Sequence, residues 1–354
     1  MRIVITGASG NVGTALVRRL AGHHDLVGVV RRPPTDPEGS LAEVEWVAAD
    51  LADDTAVAVL RRACAGADAV VHLAWGFQPS HRLDLMAETG VGGTDRVLTA
   101  VGAESVPHLV HMSSVGAYSP RQDSRPVTEE WPTAGVPSSP YSSHKAAAER
   151  LLDRFESDHA ATVVTRLRPG IIGQRAAGSA LLRYGLPALA PAALVRLLPL
   201  LPVDRTLEIP FVHADDVADA VARALEAGAP GAFNLAAEPV LTVEHIAAAL
   251  GARHVHVPAP VVRAAVAGSW HARLQPLDPG WIDLAFSVPL LDCSRARSEL
   301  GWEPTVDAVT VLDEVVAGMA DRSSRPTPAL RPRTLVDLAR RFVTDGPVSS
   351  RRLP

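Results

Sequence analysis

Residues 2–13 read Arg2-Ile3-Val4-Ile5-Thr6-Gly7-Ala8-Ser9-Gly10-Asn11-Val12-Gly13, and Ala15, Leu16, Val17 and Leu20 follow at helical spacing. A short apolar run, a glycine-rich break and an amphipathic repeat predict strand, tight turn and helix. Glycine accepts positive φ and lets other groups approach the backbone, while the first turn of a helix presents unpaired N–H groups and the positive end of its dipole. Together these make a seat for phosphate. Between a first strand and a first helix, the pattern predicts a dinucleotide cradle at Gly7, Ser9, Gly10, Asn11, Val12 and Gly13.

The same alternation continues outward. Apolar runs predict strands at 26–30, 44–48, 69–73, 108–113 and 162–167, and amphipathic stretches predict helices near 53–64, 85–103 and 141–159. Strand and helix in alternation imply an α/β, doubly wound parallel sheet covered on both faces. Ligands of such sheets lie at the carboxyl ends of the strands, where Gly7, Arg31, Asp50, Ala74 and Ser114 fall. The second strand ends in Val29-Val30-Arg31-Arg32, at the point where a carboxylate would hold the ribose 2′-hydroxyl of NAD. A guanidinium suits a 2′-phosphate instead, so Arg31 and Arg32 favour NADP over NAD. The plainer reading is that they begin a solvated loop closed by Pro33 and Pro34. Asp50 could accept from an adenine amino group or cap the helix that begins near Asp53.

A second stretch bears on chemistry. The chain has one lysine among 354 residues, and it lies four positions after a tyrosine, in Tyr141-Ser142-Ser143-His144-Lys145. Residues four apart share a helix face, so phenol and ammonium can act on one ligand. A tyrosine titrates near ~10, and one unit charge about 4–5 Å away at an effective dielectric near ~20 offsets the roughly 4 kcal/mol needed for it to act as a base at neutral pH. Lysine is a compact charge with three donors, able to reach a phenol and sugar hydroxyls together; the flat arginine fork is shaped for carboxylate or phosphate. The bland alternative is an exposed lysine on an ordinary helix.

Composition excludes several classes. A net charge of −5 and a pI near 6.2 give no general nucleic-acid signal. Residues 321–354 form a basic tail with eight Arg and three Asp, suited to acidic protein surface or to solvent. Cys64 and Cys293 stand far apart without metal-ligand spacing, and the thirteen histidines form no metal motif, so no metal is expected. The most apolar stretch, 181–202, is interrupted by Arg183, Pro187, Pro191, Arg196 and Pro199, which argues against a membrane span. With no signal-peptide pattern, a cytoplasmic location is expected.

The motifs in order resemble the extended short-chain dehydrogenase/reductase group, the NAD-dependent epimerase/dehydratase family. They are Thr6 to Gly13, Asp50-Leu51, His72-Leu73-Ala74, Ser113-Ser114 before Tyr118, Tyr141 to Lys145, Arg168-Pro169-Gly170, Phe211-Val212-His213 with Asp215-Asp216-Val217, Phe233-Asn234-Leu235, and Leu300 to Pro304. The resemblance, over about 1–320, implies a Rossmann-type sheet of about seven strands over 1–174 with returns near 206–237 and 286–294. A smaller substrate lobe is implied mainly within 175–320. It implies that Ser114 hydrogen-bonds the reacting oxygen, that Tyr141 exchanges its proton, and that Lys145 holds the nicotinamide ribose and lowers the tyrosine pKa. Leu51, Leu73, Ala74 and Pro169 join the dinucleotide set, and a homodimer built on the helices near 85–103 and 141–159 is usual in such proteins.

Three departures narrow the expectation. Ser114 is followed by Val115-Gly116-Ala117 where dehydratases of the family carry an acidic pair. Arg168-Pro169-Gly170 lacks the asparagine with which nucleotide-sugar enzymes often hold substrate phosphate, and Gly90-Val91-Gly92-Gly93-Thr94 lacks the usual helix-opening asparagine. The leucines of 181–201 suggest an apolar pocket or simple lobe packing. Trp75, Arg175, Arg183 and Tyr184 are candidate substrate contacts; Trp270, His271, Gln275 and Trp281 could close the far side. The leading expectation is therefore an NADP- or NAD-dependent dehydrogenase/reductase acting on a secondary alcohol or ketone of a small molecule. A sugar epimerase is the alternative, and a noncatalytic NADP sensor is the alternative of another class.

Overall fold

The computed structural model describes residues 1–76, 79–185 and 199–332, with the side chains of 183–185 excepted. The first strand, β1 (Arg2–Thr6), is buried from Ile3 onward, and α1 (Asn11–Leu20) turns Val12, Ala15, Leu16, Val17 and Leu20 inward, as the apolar spacing requires. The chain continues through β2 (Asp25–Val30), β3 (Val44–Ala48), α2 (Ala56–Cys64) and β4 (Ala69–His72). Next come α3 (Leu83–Ala87), α4 (Gly93–Ala103), β5 (His108–Met112), α5 (Pro140–Asp158) and β6 (Val163–Pro169). The helix predicted near 85–103 is thus present as an unbroken helical run from Leu83 to Ala103. Within it Glu88–Gly92, at the glycine-rich stretch, adopts a wider π turn between α3 and α4.

The remaining elements are β7 (Ile171–Gly173), α6 (Gly178–Gly185), β8 (Leu200–Val203), β9 (Glu208–His213), α7 (Ala214–Ala227), β10 (Gly231–Leu235) and β11 (Ala237–Thr242). They are followed by α8 (Val243–Leu250), β12 (Arg253–His256), α9 (Ala259–His271), α10 (Gly280–Ser287), α11 (Ser294–Leu300) and α12 (Ala308–Ala320). The main sheet has seven strands in the order β10-β6-β5-β4-β1-β2-β3, all parallel. β7, β9 and β11 form a separate three-stranded sheet, and β8 pairs with β12. This is the doubly wound, Rossmann-type α/β sheet that the alternation predicts.

Two apolar layers clothe the sheet. On one face α1 and α7 meet the strands through Leu16, Val17, Val217, Ala218 and Val221, with Trp302 fully buried beside them. On the other, Leu60 of α2, Val97 and Val101 of α4, and Leu152 and Phe155 of α5 pack together. Each fully buried aliphatic side chain contributes about 1.5–3 kcal/mol against exposure. Asp216 locks the turn after α11: its carboxylate accepts from Thr305 Oγ1 at 2.6 Å and Thr305 N at 2.9 Å, while its carbonyl accepts from Trp302 Nε1 at 2.8 Å.

Strand order reverses between β1, which runs on to β2, and β4, which runs on to β5, so a crevice opens at their carboxyl ends. The glycine loop lies there under close contact. A Cβ on Gly13 would stand 2.3 Å from the Gly7 carbonyl oxygen, and one on Gly7, whose φ is +74°, would stand 2.8 Å from Ala74 N. Gly13→Ala is expected to destabilise the fold by about 1–3 kcal/mol. Urea unfolding reads this as a lower midpoint at unchanged slope; an unchanged midpoint would contradict the close approach.

Candidate active site

The first turn of α1 has no side-chain cap and no acidic residue, so its backbone donors and dipole are left for an anion. The loop is braced from behind. Asn11 Nδ2 donates to Ile172 O at 3.1 Å, and Gln174 Nε2 donates to Asn11 O at 2.7 Å and Asn11 Oδ1 at 2.8 Å. Thr327 Oγ1, from the start of the basic tail, donates to Ser9 O at 2.9 Å. The Asn11 side chain is thus spent on β7 and Gln174, and what the loop can offer a dinucleotide is backbone. The geometry fits the group, because its tight turns are ones that a Cβ would fill.

Around this loop Arg31 is half-buried and Arg32 exposed directly after β2. Asp50 follows β3 and accepts from Ala52 N at 3.1 Å, while Asp53 accepts from Thr55 N at 2.8 Å and Thr55 Oγ1 at 2.7 Å. The turn before α2 is therefore shaped by both aspartates. Leu51 is buried, and Leu73 and Ala74 follow β4 with partial exposure. Pro169 ends β6.

At the next strand end, Ser114 is buried and its Oγ accepts from Gly116 N at 3.0 Å. Tyr141 sits in the first turn of α5, which Pro140 opens and Ser139 caps. Ser142 pins that turn, donating to Gly116 O and accepting from Val136 N, both at 2.6 Å. Gly116 is needed because a Cβ there would stand 2.9 Å from Tyr141 Cε1. Burial pushes the Tyr141 phenol up to about 12, opposed by a hydrogen bond with Ser114. That hydrogen bond brings Ser114 and Tyr141 together at the end of β5.

Lys145 stands one turn further on, almost wholly buried, and its Nζ donates to Met112 O at 2.8 Å. The Trp75 ring covers the ammonium, its centroid 3.5 Å from Nζ. Burial lowers the Lys145 pKa to about 7, with the Glu149 charge opposing. The expected depression of the tyrosine by this lysine is not what this structure holds. The phenol is raised, because desolvation outweighs every favourable contact and the ammonium is directed to Met112 O and the Trp75 face. Trp281 of α10 stacks on Tyr141 at 5.0 Å and Trp75 meets it edge-on at 6.4 Å, giving the phenol an apolar wall.

Beneath the site lies a buried ionic cluster that motif reading did not find. Glu149, one turn beyond Lys145, accepts from Ser113 Oγ at 2.6 Å, Arg168 Nε at 2.8 Å, Arg168 Nη2 at 3.0 Å and Arg166 Nη1 at 3.0 Å. Burial opposes its ionisation, yet the Arg168 hydrogen bonds and charge, with Ser113 and Arg166, hold it down at about 2. Arg168 also donates to the Tyr118 hydroxyl at 3.1 Å, which in turn donates to Asn234 Oδ1 at 2.7 Å, so Tyr118 is structural. Two arginines on one face of a central strand were the available signal, since buried cations require a counter-ion.

The substrate candidates separate. Trp75 joins Lys145 and Tyr141, whereas Arg175 pairs with Asp321 at the end of α12. The side chains of Arg183 and Tyr184, and the leucines of 186–198, lie outside the described residues. Leu182 is core, packed with Phe211, Leu241 and α12. Trp270 stacks on His81 at 4.7 Å, and Gln275 binds neighbouring backbone. A Cβ on Gly170 would stand 2.3 Å from Pro210 O, so the backbone after β6 runs in close contact with the segment before Phe211. Among the described residues no helix is long and apolar enough to cross a membrane, and no group of three or more His, Cys, Asp or Glu could hold a metal.

A glycine-loop cradle beside a Ser-Tyr-Lys set on a doubly wound sheet defines a dinucleotide-dependent class. Residues 3–236 match the model of the NAD dependent epimerase/dehydratase family, and the chain belongs to that family. It is 28% identical over 327 residues to an uncharacterized protein of Mycobacterium tuberculosis, covering 91% of this chain but 30% of that protein, so it spans under a third of that relative. It is 29% identical over 343 residues to the UDP-glucose 4-epimerase of Mycolicibacterium smegmatis, covering 91% of this chain and 100% of that one. Among solved structures, the dTDP-glucose 4,6-dehydratase DesIV of Streptomyces venezuelae with NAD and TYD bound superposes with a TM-score of 0.64. It has 21% identity and covers 90% of this chain and 96% of that one. The family and fold recognised from the motifs are thereby established.

Glu149→Gln is expected to lower stability by roughly 3–5 kcal/mol, because Arg168 is left buried without its carboxylate. A carboxyl held below its usual 4.5 stabilises fully above that value and loses its contribution as pH falls toward about 2. Chemical unfolding against pH should therefore show a wild-type loss across that window that the variant lacks; parallel profiles would contradict the assignment.

Proposed function

We propose that this protein is an NAD(P)-dependent oxidoreductase that interconverts a secondary alcohol and a ketone on a small molecule, with Tyr141 as general acid and base. The observation that carries the reading is the junction of Ser114, Tyr141 and Lys145 at the strand ends beside the glycine loop. Backbone of Gly7, Ser9, Gly10, Asn11, Val12 and Gly13 would hold the pyrophosphate. Asp50, Leu51, Leu73, Ala74 and Pro169 would flank the dinucleotide, and Lys145 its nicotinamide ribose. A bound pyridine dinucleotide supplies the hydride acceptor or donor.

The chain's own groups manage the oxygen. Ser114, fixed by Gly116 N, hydrogen-bonds the reacting oxygen and orients it toward Tyr141. The Tyr141 phenol is neutral at pH 7, its pKa raised to about 12 by burial, so it is loaded to give its proton to a ketone oxygen receiving hydride. Trp75 and Trp281 exclude water from that transfer. This arrangement favours reduction of a moderately apolar ketone. Arg31 and Arg32 would pair with a 2′-phosphate, which makes NADP the preferred cofactor. We assign the cofactor fold to 1–174 with later returns, the substrate lobe mainly to 175–320 and the tail to 321–354. The two free cysteines, both buried with thiols pushed up to about 12 by burial, suit a reducing cytoplasm. Pairing of α4 and α5 across two copies would make a homodimer.

The full-length similarity to a UDP-glucose 4-epimerase supports a second reading, in which the alcohol is oxidised, the ketone turns and the hydride returns. Consumption of NADPH with a ketone panel supports reduction. Interconversion of UDP-glucose and UDP-galactose without net change in NADPH supports epimerisation. Tyr141→Phe is expected to lower turnover by about 10²–10⁴-fold while dinucleotide affinity persists; unchanged turnover would contradict the role. In calorimetric titrations Arg31→Asp should shift preference from NADP toward NAD, and equal preference in both proteins would remove the arginine argument.

A further inference from the structure

The indole of Trp75 lies in a seat made for it. A Cβ on Gly90, in the π turn Glu88–Gly92, would stand 2.9 Å from Trp75 Cζ2, so only a bare backbone admits the ring at that depth. From that seat the ring reaches both members of the tyrosine–lysine pair. Its face centroid is 3.5 Å from Lys145 Nζ, and it meets the Tyr141 ring edge-on with centroids 6.4 Å apart and planes at 83°. A desolvated ammonium on an indole face is held electrostatically by the ring quadrupole, and that attraction acts only on the charged form.

We propose that Trp75, seated on Gly90, is a positioning residue for Lys145, keeping the ammonium charged and aimed along the face of α5 that carries Tyr141. The inference rests on the role given to Lys145 above and adds a residue to it. The ammonium is held from two sides, by the Met112 carbonyl and by the indole, and neither contact uses the Tyr141 hydroxyl. The ionisable groups around it are Tyr141 and Glu149 on its own helix, His72 at the end of β4 and His111 on β5. Both histidines are held neutral, first by burial and then by neighbouring cations, and Glu149 stays ionised. None of the three changes charge near neutral pH, so a change in the lysine midpoint reports the indole.

Because the chain contains one lysine, [ε-13C]lysine labelling yields a single side-chain resonance whose pH titration is read without substrate or dinucleotide. Trp75→Leu is expected to lower the Lys145 midpoint by about one unit, and Trp75→Phe, which restores an aromatic face, by clearly less. Gly90→Ala keeps the indole but takes its seat, and should move the midpoint in the same direction; it carries the test if Trp75→Leu does not fold. Midpoints unchanged in both Trp75→Leu and Gly90→Ala would overturn the proposal, as would an upward shift in either. Titrating NADP into wild type and Trp75→Leu at pH 7 should show several-fold weaker binding by the variant. A wild type that binds neither NADP nor NAD would instead overturn the oxidoreductase reading, while the lysine midpoint still decides the role of Trp75.

Discussion

Everything at the candidate site hangs on how α5 is held against the sheet, and the contact that holds it is the buried carboxylate of Glu149. Ser113, Arg166 and Arg168 all donate to it, tying the helix to the end of β5 and to β6. Tyr141, Lys145 and Glu149 follow one another at four-residue intervals, so fixing the third fixes the face presented by the other two. A buried ion cluster stabilises little over an apolar substitute, but removing one partner is costly, and that asymmetry makes the helix register specific.

The glycine loop is held by a different kind of constraint. Gly7 and Gly13 leave no room for side chains against Ala74 and the Gly7 carbonyl, while Ile172, Gln174 and Thr327 brace the loop from segments distant in sequence. The described part of the basic tail docks through the Thr327 hydroxyl and the buried Leu330. Glycine loop, β7 and the start of the tail are thus mechanically one unit.

Much of this was legible because it is local. The apolar runs of the main sheet, the glycine loop, and the Tyr141–Lys145 spacing each announce themselves within a few residues. What was hidden depends on contacts between distant segments. The sheet of β7, β9 and β11 joins residues around 171, 210 and 240, and the motifs at 168–170 and 211–217 do not say that these segments pair. The π turn at Glu88–Gly92 reads as a weak helix, and its meaning emerges only with Trp75 packed on Gly90. The state of the Tyr141 phenol is hidden for a physical reason: proximity on a helix face says where a charge is, but not that burial raises the phenol or that a carbonyl and an indole claim the ammonium.

The central claim is that Tyr141 and Lys145 face a pyridine-dinucleotide cleft, and a crystal structure of the protein grown with NADP tests it most directly. The account predicts pyrophosphate density against the backbone of 7–13 and the nicotinamide ribose within hydrogen-bond distance of Lys145 Nζ. Dinucleotide bound elsewhere, or no dinucleotide bound at saturating NADP and NAD, would contradict it.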